Sequence, residues 1–199
     1  MPHKLNQPLT SKFDEALQLA SQLHREQARK GTQIPYISHL LAVTAIVLEF
    51  GGTEAQAIAA LLHDAVEDCG GKPTLVKIEA QFGREVAAIV ESCTDSFEKG
   101  PKRDWKERKE EYLQHLRDSD TASLLVVAAD KLHNLTAIER DLRLEGAALW
   151  SRFNAGPKQQ RWYYDSVIEI LNERLKNPIV VSLMEVYNQV RPQMIESRK

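Results

Sequence analysis

Apolar residues recur at three- and four-residue steps along almost the whole chain, which is the spacing of one face of an α-helix. The first such stretch follows Thr10 and places Phe13, Leu17 and Ala20 on a common face. No segment shows the strict alternation of apolar and polar residues that is typical of a half-buried strand. The pattern therefore predicts an all-α fold of roughly nine to eleven helices.

Residues that start and end helices divide this pattern into segments. Thr53 is a predicted N-cap, and the pairs Gly51-Gly52 and Gly70-Gly71 are predicted helix ends. The predicted helices run from residue 10, over 36–50, 53–69, 74–82, 84–94 and 105–117, from 119 or 120 towards 144, from 157, and over 179–195. Residues 95–103 are polar around a Gly-Pro pair and are predicted to form a loop.

The length of 199 residues is sufficient for one good hydrophobic core and does not require a second domain. We interpret residues 1–199 as a single domain, in which the last helix, 179–195, packs on the rest. The helix over 105–117 is rich in charge and is expected to face solvent over most of its surface. We expect His24 and His115 at the surface as well.

Composition and charge narrow the class of protein. Hydrophobic residues make up 43% and charged residues 27% of the chain, as in an ordinary soluble domain. The formal net charge of -2 gives no global field that attracts nucleic acid or a membrane surface. The N-terminus lacks the apolar centre of a signal peptide, and the apolar stretch 40–50 is too short to span a bilayer. Cys69 and Cys93 form no CxxC pair, so we expect free thiols in a cytoplasmic protein, with the oligomeric state left open.

Four ionisable residues follow an apolar run that has the character of a buried helix. Residues 59–62 read Ala-Ala-Leu-Leu, and His63-Asp64 and then Glu67-Asp68 come after them. On a continuous helix these four side chains occupy an arc of roughly 140° on one face. Carboxylates beside a core are costly unless they are paired, hydrogen-bonded or bound to a metal ion.

Two other segments repeat this arrangement. His39 lies in the first turn of the apolar helix over 36–50, and Asp130 follows the apolar run 124–129, with Asn134 one turn further on. Histidines and aspartates that leave coordination positions open suit a divalent ion such as Mn²⁺, Fe²⁺ or Zn²⁺. Such an ion lowers the pKa of a bound water and polarises a phosphoryl oxygen.

The order His, His-Asp and Asp on three separate apolar helices resembles the signature of the HD phosphohydrolase superfamily. The segments HREQARKGTQIPYISHLLAVTAIV, ALLHDAVED, AADKLHNL and WSRFNAGPKQQRWYY resemble the hydrolase domain of RelA/SpoT homologues. Among these, the chain is most similar to the stand-alone small alarmone hydrolases. The resemblance covers residues 9–175 and leaves no room for a synthetase or regulatory domain.

The resemblance implies a reaction and the residues that perform it. It implies four ligands for a metal ion, usually Mn²⁺ in this family: His39, His63, Asp64 and Asp130. Glu67 and Asp68 match the pair that activates and orients the attacking water and handles protons. The implied reaction removes pyrophosphate from the ribose 3′ position of (p)ppGpp and leaves GDP or GTP.

Three further residues match substrate contacts of the family. Asn134 matches a residue that contacts the ribose or its phosphates, and Arg29 and Lys30 match a pair in the loop over the base, where a guanidinium can stack on the ring. After Asn134 this chain reads Leu-Thr-Ala, whereas long RelA/SpoT enzymes commonly read Met-Arg-Thr. The cations that hold the phosphates, and the choice between guanine and adenine, are therefore left open.

Two other functions stay open at this point. One is an HD phosphohydrolase that acts on another nucleotide, either (p)ppApp or NADPH. The other is an inactive domain that binds a nucleotide as a sensor, although such a domain has no need for the pair Glu67 and Asp68. His133 is expected to face away from Asp130 and is not included among the metal ligands. The run of charge over 102–111 is expected to be a solvated helix face.

Overall fold

The computed structural model describes residues 8–95, 97 and 103–195. Its ten α-helices and two 3₁₀ segments lie in these residues: α1 (Ser11–Leu23), α2 (Ile37–Glu49), α3 (Glu54–Leu62), α4 (Ala65–Cys69), α5 (Lys72–Phe82), α6 (Arg84–Cys93), α7 (Trp105–Asp118), α8 (Thr121–Glu145), Gly146–Arg152 (3₁₀), α9 (Pro157–Arg174), α10 (Ile179–Val190) and Arg191–Gln193 (3₁₀). No strand is found in this part of the chain, so the all-α prediction is confirmed. The predicted loop around Gly100-Pro101 lies outside the described residues.

Local sequence signals account for most helix boundaries. Thr53 forms a reciprocal capping box with Gln56, and Asp120 accepts a hydrogen bond from the backbone of Ser123 at the start of α8. Helix α2 ends where Gly51 adopts a positive φ of 82°, which only glycine tolerates without strain. The backbone N–H of Gly52 then bonds the Val47 carbonyl and closes the last turn.

One predicted helix is broken in the structure. The segment predicted as continuous over 53–69 divides into α3 and α4, because His63 and Asp64 form a turn between them. The His63 ring donates to the carbonyl of Ala60 at 2.8 Å and so caps the last turn of α3. At this break His63 Nε2 lies 3.7 Å from Asp130 Oδ1 of α8, and Asp64 Oδ2 lies 3.5 Å from His39 Nε2 of α2.

The centre of the core consists of two helical segments that are buried on every side. All residues of α3 over 56–62, and all residues of α8 over 123–130, are buried. Helix α8 packs against α2, α3, α6 and α10, and α10 also packs on α9. A helix that is apolar all round belongs in the interior. His63 directly follows the first run and Asp130 is the last residue of the second, so both polar residues lie inside the molecule.

In the described residues, no helix combines the length and the apolar character that are needed to cross a membrane.

Candidate active site

Three elements bring His39, His63 and Asp130 together, and we call these residues the His/Asp cluster. His39 lies in the first turn of α2, His63 directly follows α3, and Asp130 lies in the first half of α8. One donor atom from each residue lies within 4.8 Å of the other two. His39 Nε2 is 3.2 Å from Asp130 Oδ1, and His63 Nε2 is 3.7 Å from the same oxygen. All three residues are buried.

Hydrogen bonds on the far side of the rings orient both histidines. The bond from His63 Nδ1 to the Ala60 carbonyl leaves Nε2 facing the cluster. His39 Nδ1 lies 2.7 Å from Nδ1 of His133. Burial, together with His39, lowers the pKa of His133 to about 4, so this ring is neutral near pH 7 and can accept a hydrogen bond from His39. Such outer partners fix the tautomer of a metal-binding histidine.

The donor set of the cluster fits a divalent cation. His63 Nε2 is buried and has no hydrogen-bond partner among the described residues, although it lies 2.9 Å from Asp64 Oδ2. Burial alone would raise the pKa of Asp130, but Lys131 and two histidines outweigh burial and hold this pKa well below its ordinary value. An unpaired imidazole nitrogen beside ionised carboxylates is a donor set that Mn²⁺, Fe²⁺ and Zn²⁺ accept.

Asp64, the fourth predicted ligand, lies beside the cluster but outside the group of three. Its Oδ2 is 2.9 Å from His63 Nε2 and 3.5 Å from His39 Nε2. Tyr36 donates a hydrogen bond of 2.6 Å to the same oxygen and thereby orients the carboxylate. The sequence did not single out Tyr36. Coordination by Asp64 remains a prediction.

The two predicted catalytic carboxylates lie on α4 in different surroundings. Glu67 lines a polar cavity together with His39 and Asp130 of the cluster, and a side-chain hydrogen bond links it to Asp95. Asp68 is exposed, and its Oδ2 accepts a hydrogen bond of 2.7 Å from Gln27 Nε2. The structure therefore brings Glu67 to the cluster more directly than Asp68.

His24 is buried, with 2% of its surface exposed, so its predicted position at the surface was wrong. Its Nδ1 lies 2.6 Å from Oε1 of Gln27, and its ring stacks on Tyr36 with 5.2 Å between centroids. Both partners are residues of the chain beyond α1, and their positions could not be read from the helical spacing. His24 thus supports Gln27 and Tyr36, which hold the carboxylates of Asp68 and Asp64.

Two adjoining cavities lie on one side of the cluster, and His39 and Asp130 line the inner one. The inner cavity, of about 200 Å³, is polar and is lined by His39, Asp64, Glu67, Asp95 and Asp130 among others. The outer cavity, of about 350 Å³, has apolar walls that include Leu149 and Phe153, and its size is that of a small-molecule site. Six residues line both cavities: Arg29, Tyr36, Lys109, Lys131, Asn134 and Tyr163.

The predicted substrate-binding residues lie along these cavities. Arg29 Nη2 donates to Asn134 Oδ1 at 2.7 Å, and Asn134 Nδ2 donates to Asp130 Oδ1 at 2.5 Å. Arg29 and Asn134 are therefore joined to the His/Asp cluster by a chain of hydrogen bonds. Lys30 lines only the outer cavity, and its Nζ donates to Asn154 at 2.5 Å.

Sequence reasoning missed the inward face of α7. Arg108 is buried, and both Arg108 Nη1 and Lys109 Nζ donate to Asp95 Oδ2, at 2.8 and 2.5 Å. The prediction of a solvated face was wrong for these two residues. The helical spacing did contain a signal for this inward face, because residues 108, 109, 112, 113 and 116 lie on one side of the helix. The first two of these residues are cations, and they obscured the apolar character of the other three.

The all-α fold and the buried His/Asp cluster define an HD-domain protein with a site for a divalent metal ion. The chain belongs to the HD domain family, whose model matches residues 16–159.

The chain is also similar to named proteins from animals. The chain is 36% identical over 148 residues to the guanosine-3′,5′-bis(diphosphate) 3′-pyrophosphohydrolase MESH1 of Drosophila melanogaster, covering 72% of this chain and 76% of the relative. It is 40% identical over 129 residues to human MESH1, covering 63% of this chain and 69% of the relative.

Two solved structures share the fold of this chain. A metazoan orthologue of SpoT, described as hydrolysing ppGpp and as having a role in starvation responses, superposes with a TM-score of 0.72 at 28% identity, over 93% of this chain and 98% of that chain. A protein from Listeria monocytogenes EGD-e superposes with a TM-score of 0.68 at 32% identity, over 77% of this chain and 99% of that chain.

Proposed function

We propose that this chain, as a single domain, is a hydrolase that removes pyrophosphate from the ribose 3′ position of (p)ppGpp, with Mn²⁺ as its ion. The observation that carries this proposal is the buried His/Asp cluster beside Glu67 in a polar cavity that adjoins a second cavity of nucleoside size. The similarity to MESH1 proteins from fly and human supports the same substrate. The products are pyrophosphate and GDP or GTP.

The reaction divides among the metal site and the side chains around it. His39, His63 and Asp130 would hold a divalent ion, which would lower the pKa of a bound water and polarise a phosphoryl oxygen. Glu67 takes a proton from the attacking water, whose oxygen forms a bond to the phosphorus attached to the ribose 3′ oxygen. The bond between that phosphorus and the 3′ oxygen breaks, and the 3′ oxygen takes up a proton and becomes a hydroxyl.

Asp95 influences where the proton resides on Glu67. Burial would raise the pKa of Asp95, but Lys109 and Arg108 outweigh burial and contribute to lowering this pKa to about 2. Asp95 is therefore ionised near pH 7 and can accept a hydrogen bond from Glu67 once Glu67 has taken the proton of the attacking water. Arg29 and Asn134 hold the nucleoside at the boundary of the two cavities.

Turnover of ppGpp and ppApp, measured side by side with Mn²⁺ and with a chelator, tests the proposal. We expect Mn²⁺-dependent release of pyrophosphate from ppGpp. Chromatography of the reaction mixture identifies the nucleotide product. GDP, which lacks the 3′ diphosphate, is the control and is expected to stay intact. A preference for ppApp, or release of phosphate from NADPH alone, would show that the substrate is that nucleotide and not ppGpp. Binding without turnover of any of these nucleotides would instead indicate a sensor.

Gly31 offers a test of the loop that carries Arg29 and Lys30. Its φ is 71°, and a Cβ there would lie 2.8 Å from the side chain of Arg152, whose guanidinium is held by Asp141. We expect Gly31→Ala to raise KM for ppGpp several-fold, because the loop must move away from Arg152. The measurement is steady-state kinetics together with urea unfolding.

Gly51→Ala is the matched control for this change. Gly51 also has a positive φ, of 82°, but a Cβ there meets no atom within 4 Å. Both variants should lose roughly 1–2 kcal/mol of unfolding free energy from the left-handed backbone. Only Gly31→Ala should change KM, and an equal change in both variants would contradict a specific role for the loop.

A further inference from the structure

Two lysine side chains from different helices share one aromatic surface at the boundary of the two cavities. Lys109 Nζ, from α7, lies 4.9 Å from the ring centroid of Tyr163 and 5.6 Å from that of Tyr112. Lys131 Nζ, from α8, lies 5.7 and 5.8 Å from the same two centroids. Rings attract cations over their faces, so both ammonium groups are held beside the same two rings, near enough for their like charges to interact.

Among the described residues, each ammonium group donates to one carboxylate and so uses only part of its hydrogen-bonding capacity. Lys131 Nζ donates to Asp130 Oδ2 at 2.6 Å, and Lys109 Nζ donates to Asp95 Oδ2 at 2.5 Å. An ammonium has three N–H donors. Asp95 is already paired with Arg108, so the group of Arg108, Lys109 and Asp95 carries one excess positive charge. The lysines can therefore bind an additional anion.

The hydroxyl of Tyr163 lacks an acceptor at the same place. Tyr163 is buried, lines both cavities, and its hydroxyl has no hydrogen-bond partner within the described part of the chain. Both lysines over its ring are donors and offer no lone pair. A buried hydroxyl without a partner is costly, and a phosphate oxygen between the lysines supplies the missing acceptor.

We propose that Lys109 and Lys131, on their floor of Tyr112 and Tyr163, form the subsite that binds the 3′-diphosphate group of the substrate and then the pyrophosphate product. This inference rests on the proposed function. Asp130 gives the spatial link, because its Oδ1 faces His39 at 3.2 Å while its Oδ2 accepts from Lys131. A diphosphate with one phosphoryl group at the cluster thus reaches the lysines with the other.

Charge in the inner cavity shows why such a subsite is required. Four carboxylates line that cavity: Asp64, Glu67, Asp95 and Asp130. They repel an anionic diphosphate at short range. A metal ion offsets part of this repulsion, and the two lysines provide the remaining positive charge on the side where the diphosphate projects beyond the cluster.

Lys109→Met is the cleanest test, because methionine keeps an unbranched apolar stem on the rings and Asp95 keeps Arg108 as its partner. Pyrophosphate and GDP are titrated separately into metal-free protein by calorimetry at low salt. We expect the Kd for pyrophosphate to rise about ten- to a hundredfold, the loss typical of a charge-assisted hydrogen bond, with the Kd for GDP unchanged. Tyr163→Phe, which removes only the hydroxyl, should weaken pyrophosphate binding by a smaller factor.

Lys106→Met is the matched control. Lys106 lies one turn before Lys109 on α7, lies over the ring of Trp162 and pairs with Glu110, and it lines neither cavity. An equal loss in Lys106→Met would reduce the effect to net charge and overturn the subsite. Unchanged pyrophosphate binding in Lys109→Met overturns it too, as does a loss confined to GDP, which would place the 5′ phosphates there.

The outcome for the subsite is separable from that for the proposed function. Wild-type protein that hydrolyses ppGpp, together with a Lys109→Met variant of undiminished pyrophosphate affinity, keeps the function and discards the subsite. If Lys109→Met specifically loses pyrophosphate binding but the wild-type protein does not hydrolyse ppGpp, the subsite is kept and the proposed function is discarded. Thermal unfolding of each variant, measured beforehand, verifies that the protein titrated is folded.

Discussion

Asp130→Asn is expected to abolish both metal binding and turnover of ppGpp. Asp130 Oδ1 faces the two histidines of the cluster, and its Oδ2 accepts from Lys131, so the loss of charge affects the ion and a buried cation together. Leaving Lys131 without an ionised partner should cost about 3–5 kcal/mol of unfolding free energy, as in other broken buried ion pairs. Elemental analysis of the purified variant measures the metal, and urea unfolding measures the stability.

Glu139→Gln is the control on the same helix. Glu139 pairs with the exposed Arg143 one turn away and lies outside both cavities, so its loss should change stability by less than about 1 kcal/mol and leave the metal in place. Asp64→Asn extends the series to the predicted fourth ligand. Retention of metal in Asp130→Asn would show that the His/Asp cluster is not the metal site.

The residues of the His/Asp cluster could be found in the sequence because local pattern determined their burial. His39, His63 and Asp130 each begin or follow an apolar run long enough to fill a helix that is buried on several sides. A polar residue attached to such a run is carried into the interior, where it needs a partner. For this reason the helical class, most caps and the elements that carry these residues could all be predicted.

Long-range partners decided what the sequence did not reveal. Arg108 and Lys109 have the composition of a solvated helix, and their inward position depends on Asp95, which lies more than ten residues earlier and pairs with both. His133 faces His39 across more than ninety residues of chain, so its supporting role depends on how α2 and α8 pack. The break at His63 also depends on a side-chain contact with the backbone, which periodicity does not describe.

The second large effect is expected from Glu67→Gln, which should lower turnover by about 10²–10⁴-fold and leave the metal bound. Glu67 lines the inner cavity and is not one of the three residues whose donor atoms converge. Glutamine has nearly the same shape, and its amide N–H can donate to the ionised Asp95, so the side chain should stay in place. What it loses is the ability to take a proton from water. Kinetics and elemental analysis of the same preparation measure both quantities.

Asp68→Asn separates the two members of the predicted catalytic pair. Asp68 is exposed and held by Gln27, so a role in orienting water or substrate predicts a smaller loss of turnover than at Glu67. Glu85→Gln, a change at an exposed position on α6, should have no effect. If Glu67→Gln lost its metal, Glu67 would be a ligand. If Asp68→Asn showed the larger loss of turnover, the proton acceptor would be Asp68, and Glu67 would have a structural role instead.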